Sequence, residues 1–201
     1  MLTDEEVVSR VQAGQVELFE IIFDRHYARI ERYVRGLGTP DAELEDVVAD
    51  AFTRAFARIR SFDSASGTRY VSYLYAIARN LATDRLRERL RAPEVTFLED
   101  VRATETPDER VEGSPLATLL QREQLDRIRT ALAMLSPSDQ EIIALSYERE
   151  LSCKEIMEVM QKPSVTAVTT HLYKAIKKLR ALVLSDEEKA GRENRSARSI
   201  Q

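Results

Sequence analysis

The sequence predicts an all-α chain of two small helical domains, an N-terminal helical bundle and a C-terminal helix-turn-helix domain, joined by an acidic flexible linker. Three observations predict it. Apolar residues recur at spacings of three and four along most of the 201 residues, the period of a helix with one buried face. Glycine and proline, six of each, fall mainly between those stretches. Residues 93–116 break the pattern with three prolines, a glycine and a run of acids, a composition that cannot bury a core and reads as a linker.

The elements follow in order. Leu18, Phe19, Ile22, Phe23, Tyr27, Ile30 and Val34 form the first apolar stripe, and Gly36-Leu37-Gly38-Thr39-Pro40 ends it. A second helix runs from about Asp41 to about Ile59, with Leu44, Val47, Val48, Ala51, Phe52, Ala55, Phe56 and Ile59 on its apolar face. Residues 61–68 have the small polar composition of a loop. A third helix spans about Arg69 to Leu90, with Val71, Leu74, Ile77, Ala78, Leu81 and Leu86 inward, and Pro93 ends it. After the linker, Leu119, Leu120, Leu125, Ile128, Leu132 and Leu135 suit one helix. Ser136-Pro137 reads as a cap followed by proline in the first turn of a short helix over 137–148. Ser152 and Glu155 fit a capping box for another short helix ending near Met160. Pro163-Ser164 opens a last helix to about Leu184. A short helix, a tight turn and a basic helix make a helix-turn-helix pattern. The expected division is therefore 1–92, a linker over 93–116, 117–184, and a polar, disordered tail over 185–201.

Composition excludes several classes. A 43% apolar content is too high for a wholly disordered chain. No apolar run approaches the roughly 18 residues of a membrane span. The acidic start, Thr3-Asp4-Glu5-Glu6, lacks the apolar core of a secretory signal. Cys153 is the single cysteine, so no internal disulfide or cysteine-rich metal site is expected, which favours a cytoplasmic setting. No catalytic set is visible: His26 and His171 fall in different domains, and no nucleotide or metal motif occurs. His26 lies beside an apolar stripe and is expected to be structural. The carboxylates of Asp46 and Asp50 share a helix face but have no nitrogen ligands near them. No enzyme activity, cofactor or metal is expected.

The net charge of −4 is unevenly spread. Residues 1–52 carry −7, 53–92 carry +6, 93–118 carry −5, 119–160 carry −3, 161–184 carry +5, and 185–201 are neutral. Local field, not the chain total, decides affinity for phosphate. The two basic blocks can be two nucleic-acid contacts, although charge alone favours the commoner reading, solvated helix faces. The first holds three tyrosines, several arginines and Asn80 on one helix beside a loop. Aromatics stack on unpaired bases, arginines hold phosphates, and asparagine offers a donor and an acceptor to a base edge. The same tyrosines can also serve the core, with the arginines merely on the surface.

Four stretches resemble the extracytoplasmic-function sigma factors, the small promoter-recognition subunits of bacterial RNA polymerase. Glu45-Asp46-Val47-Val48-Ala49-Asp50-Ala51-Phe52 is similar to the family's clamp-docking helix. Residues Tyr73 to Arg87, with Ile77-Ala78-Arg79-Asn80 at their centre, are similar to its −10 recognition helix. Leu135-Ser136-Pro137 through Glu141, with Leu151-Ser152-Cys153-Lys154-Glu155-Ile156, resembles the start of its −35-reading domain, and Val165 to Lys174 its recognition helix. The family's usual tryptophan is replaced by Tyr73, its glutamine by Ala49, an alanine by Met157 and a glycine by Gln161. Its Val-Lys-Ser-Arg run reads Val168-Thr169-Thr170-His171, with two fewer positive charges.

The resemblance implies a role for each stretch. Core polymerase would be met by Glu45, Asp46, Val48, Asp50 and Phe52. The −10 element would be held by Ser61, Arg69, Tyr70, Tyr73, Arg79, Asn80, Asp84, Arg85 and Arg87, with the 61–68 loop receiving a flipped base. The −35 element would be read by Ser164, Thr166, Ala167, Thr169, Thr170 and His171, with Lys174, Lys177 and Lys178 on phosphates. Core RNA polymerase, promoter DNA and an anti-sigma factor would be the partners, without membrane insertion. A dimeric helix-turn-helix regulator acting without polymerase, and a pure protein-interaction module, are the alternatives.

Overall fold

The computed structural model describes the backbone of residues 2–63, 67–91 and 115–198, with side chains described outside 115–123 and 186–198. The expected linker falls almost wholly outside the described residues. Every element among the described residues is helical. The chain forms two compact units: Met1–Val101 with Leu145–Val168, and Arg102–Ala144 with Thr169–Gln201.

The first unit opens with α1 (Asp4–Gln12), a helix the apolar stripes did not announce. Thr3 Oγ1 accepts the Glu6 N–H, and the Glu6 carboxylate accepts the Thr3 N–H. That reciprocal cap satisfies two otherwise orphaned donors. Val7, Val8 and Val11 bury its inner face. A 3₁₀ turn, Val16–Leu18, leads into α2 (Phe19–Gly36). Asp4 fastens α1 to α2: its carboxylate lies 2.7 Å from Arg25 Nη1 and 2.6 Å from His26 Nε2. Buried His26 thus has a structural post.

The middle of the unit is α3 (Asp41–Ala57), which packs against both α2 and α4 (Tyr70–Arg91). Ile22, Ile30, Val47, Val48, Leu74 and Ala78 are at most 1% exposed and form the shared core. Each large apolar side chain buried there stabilises by roughly 1.5–3 kcal/mol. The 3₁₀ turn Ile59–Ser61 follows α3. Within this unit α7 (Cys153–Val159) packs on α4.

In the second unit lie α5 (Pro115–Ala133) and α6 (Pro137–Ile143), the latter capped by Ser136 with Pro137 in its first turn. The expected 137–148 helix changes hydrogen-bond register: Ala144–Glu148 is a π turn. The last helix, α8 (Val165–Arg198), outruns its expected end at Leu184 and takes in most of the expected tail. Residues 185–198 are rich in glutamate, lysine, arginine and alanine, all good helix formers.

Candidate nucleic-acid interface

The acidic helix α3 turns Leu44, Val47, Val48, Ala51, Phe52 and Ala55 inward, leaving Glu45, Asp46 and Ala49 exposed. Of the residues expected at the polymerase, Glu45 and Asp46 are thus presented outward. Val48 and Phe52 are buried, and Phe52 packs against Phe23 and Tyr27 with centroids 4.8 and 6.3 Å away. Asp50 is half-exposed and 3.9 Å from Arg85 Nη2, an ion pair both of whose members face solvent and which stabilises little.

Helix α4 divides its three tyrosines. Tyr70 is fully buried, with Phe19, Phe62 and Tyr73 around its ring. A ring so placed supports the core and offers DNA no face, and burial pushes its hydroxyl pKa up. Tyr75 is also buried, edge-on to Tyr33 at 5.0 Å. Tyr73 is half-buried against Phe62 at 5.4 Å. With Leu74, Ala78, Leu81 and Ala82 turned inward, Tyr73, Asn80, Asp84 and Arg87 share the outer stripe at spacings of seven, four and three. Arg85 is exposed and Arg79 half-buried.

Two of the expected DNA contacts carry partners from the segment 145–168. Arg69 Nε donates to Glu155 Oε1 at 2.6 Å, and its Nη2 donates to Glu155 Oε2 at 3.0 Å. Asn80 Oδ1 accepts from Gln161 Nε2 at 3.0 Å. Sequence reasoning missed Gln12, whose amide donates to the Ile59 and Phe62 carbonyls at 2.8 and 2.9 Å. Gln12 therefore ties the end of α1 to the stem of the 61–68 loop, beside exposed Ser61. No local pattern around Gln12 could have named partners about 50 residues away.

The helix-turn-helix segment shows its caps as expected. Ser152 Oγ accepts the Glu155 N–H while Glu155 accepts the Ser152 N–H at 2.8 Å. Burial pushes the Glu155 carboxyl up, but hydrogen bonds from Arg69, Ser72 and Ser152 outweigh it and hold the pKa at about 2. Gln161, where the family has glycine, lies at φ 53 and so keeps the left-handed turn with a side chain in place. Ser164 Oγ accepts the Ala167 N–H and starts α8.

Along α8, Thr166, Thr169, Thr170, Lys174, Lys177 and Lys178 are exposed, and Ala167 and His171 are half-buried. In the second unit, buried Asp139 on α6 accepts from Lys178 Nζ at 2.6 Å and from Ser136 Oγ at 2.8 Å, and lies 3.0 Å from His171 Nε2. His171 and Lys178, both expected at DNA, thus also hold α6 to α8. Burial raises the Asp139 pKa, but Lys178, Ser136 and His171 outweigh it and leave the value lowered. Among the described residues no cluster of potential metal ligands occurs, and no helix is long and apolar enough to cross a membrane.

Comparison with known proteins identifies the family. Residues 22–92 match the model for Sigma-70 region 2, and 125–179 that for Sigma-70, region 4. The chain is 32% identical to the ECF RNA polymerase sigma factor BldN of Streptomyces coelicolor, over 90% of this chain and 66% of BldN. It is 30% identical to the ECF RNA polymerase sigma factor SigW of Bacillus subtilis, over 86% of this chain and 92% of SigW. Its fold resembles that of the sigma factor RpoE of Bartonella quintana, solved in complex with the anti-sigma factor NepR, at a TM-score of 0.63 and 20% identity, covering 84% of this chain and 98% of that one. A region 2 match followed by a region 4 match, and a relative 30% identical and matched over 92% of its length, lead to one conclusion: the chain belongs to the ECF RNA polymerase sigma factors.

Proposed function

We propose that this chain docks on core RNA polymerase through the exposed acids of α3, grips the melted −10 element with α4 and the 61–68 loop, reads the −35 element with the start of α8, and so directs promoter-specific initiation. The observation that carries this reading is the outward stripe of α4. Tyr73 can stack on an unpaired base, Asn80 can bond its edge, and Arg87 can reach the backbone, while the buried side of the helix fixes all three. Alternating acidic and basic blocks suit a chain whose protein-facing and DNA-facing surfaces alternate.

On this reading the domains are 1–92 for clamp and −10 contacts and 117–184 for −35 contacts, with the acidic 93–116 segment threading toward the polymerase active-site channel. Exposed Thr166, Thr169 and Thr170 would meet base edges in the major groove, and Lys174 and Lys177 the phosphates. The factor would act in the cytoplasm, perform no chemistry of its own, and be held by an anti-sigma factor.

Purified core polymerase mixed with this chain and a genomic promoter library should yield discrete transcripts that core alone does not. No such transcripts would defeat the proposal. Asn80→Ala should lower open-complex formation about tenfold, the loss of one good base contact of roughly 1–3 kcal/mol, and leave −35 binding unchanged. Permanganate footprinting of the melted region checks the first part, and DNase footprinting the second.

A further inference from the structure

Helix α1 lies before residues 22–92, the stretch matched to region 2, yet its last residue reaches toward the −10 surface proposed for α4. That residue is Gln12, and the helix end around it is closed. The Gly14 N–H donates to the Val11 carbonyl and the Gln15 N–H to the Arg10 carbonyl, both at 3.0 Å. This crossed pair needs a left-handed residue just past the helix, and Gly14 supplies it at φ 106. At the other end Asp4 fastens α1 to α2, and Val7, Val8 and Val11 bury the face between. The Gln12 side chain therefore starts from a fixed backbone.

Its amide has two N–H donors, and two acceptors are in reach: the Ile59 carbonyl at 2.8 Å and the Phe62 carbonyl at 2.9 Å. The Ile59 carbonyl also accepts the Phe62 N–H at 3.2 Å, so the amide braces one tight turn across its mouth. Ile59 is held by burial in the core. Phe62 is extended, at φ −72 and ψ 123, and leads the chain out of the turn. The Phe62 end is the one that needs the brace.

The Phe62 ring carries the restraint to α4. It stands edge-on to Tyr70 at 5.0 Å and tilted against Tyr73 at 5.4 Å. Tyr73 rests on the same two rings, 5.9 Å from Tyr70. Tyr70 is fully buried and fixed, so the placing of Phe62 decides how Tyr73 is propped. Tyr73 is the ring on which the proposed function stacks an unpaired base. A prop already in place spares DNA binding the entropy of ordering that ring.

We propose that Gln12 is a positioning residue for −10 reading: its amide braces the Ile59–Phe62 turn, and the Phe62 ring sets the Tyr73 ring in the posture that stacks a base. The proposal rests on the −10 role given to α4. Gln12 itself touches no DNA and acts only through Phe62.

Two measurements on the full chain test it. The first needs no DNA. Gln12→Met keeps the length of the side chain and removes both donors, and Gln12→Asn keeps the amide but shortens its reach by one methylene. In each, hydrogen exchange at the Phe62 amide, followed by NMR, should quicken about fivefold over the unaltered chain, with exchange along α3 unchanged. Equal exchange at Phe62 in all three chains would overturn the brace. The second is a double-mutant cycle. It reads, by anisotropy, the affinity of core polymerase carrying the factor for a fluorescent single strand with the −10 sequence of a promoter that the unaltered factor transcribes. Gln12→Met should bind about fivefold more weakly, part of the effect of losing one base–aromatic stack. In a Tyr73→Leu background the same change should lower affinity less than about twofold, because the ring it acts through is gone. A merely structural role would give the same loss in both backgrounds; that result, or no loss in either, would overturn the proposal. If the unaltered factor gives no affinity for the strand, or Tyr73→Leu binds it equally well, the −10 role of α4 fails and the proposal falls with it, whatever the exchange shows.

Discussion

Glu45→Arg combined with Asp46→Arg is expected to weaken binding to core polymerase by about 100-fold, or ~2.8 kcal/mol, with folding intact. Both side chains stand exposed on α3, whose packing rests on the opposite face, so neither substitution disturbs the core. The pair reverses the local field that would steer the helix onto a basic protein surface, and it adds repulsion wherever a complementary charge was met. The loss should shrink with rising salt, because exposed charges are screened over about 10 Å at 0.1 M ionic strength. Competition for core against a labelled sigma factor gives the affinity, and circular dichroism melts give the control. Unchanged affinity would mean that polymerase docks elsewhere.

Asp139→Ala should produce the largest loss of stability, about 2–4 kcal/mol in the unit that holds α6. Its carboxylate is buried and gathers Lys178, Ser136 and His171, so removal unties α6 from α8. The midpoint for that unit should fall on the order of 10–20 °C. The pH dependence has a definite sign. The folded Asp139 pKa lies below its ordinary value, so its stabilisation is complete above the unfolded carboxylate pKa, about 4, and is lost as pH falls through the folded value. The difference between Asp139→Ala and the unaltered chain should therefore be widest near neutral pH and narrow on acidification. Denaturant titrations at neutral pH and near pH 3 check both parts, and a constant difference would show that the Asp139 charge is not what holds the unit.

Local patterns were legible where one short stretch of chain determined the outcome. Ser152 and Glu155 announced a capping box, and Ser136-Pro137 a helix start, and both are present. The same pattern at Thr3 and Glu6 opens α1, yet it precedes only three valines on a short helix, too few for a sustained stripe. Periodicity placed α4 within a residue or two but could not sort its tyrosines. The burial of Tyr70 depends on Phe19, some 50 residues earlier, and its short local spacing to Tyr73 carries no sign of that. The second role of Glu155 was likewise hidden. A cap is local chemistry, whereas its bonds to Arg69 and Ser72 span more than 80 positions and follow only from the packing of α7 on α4. The helical continuation past Leu184 lay in a stretch that is polar on every side and so carries no amphipathic signal.

The backbone on either side of α7 carries one more implication. Glu150 and Gln161 both hold φ at 53, a conformation that costs a residue with a side chain about 1 kcal/mol. At Gln161 the side chain offsets part of that cost, because its amide donates to Asn80 Oδ1. Glycine at 161 would therefore relieve the backbone but give up the bond to Asn80, two effects that oppose each other.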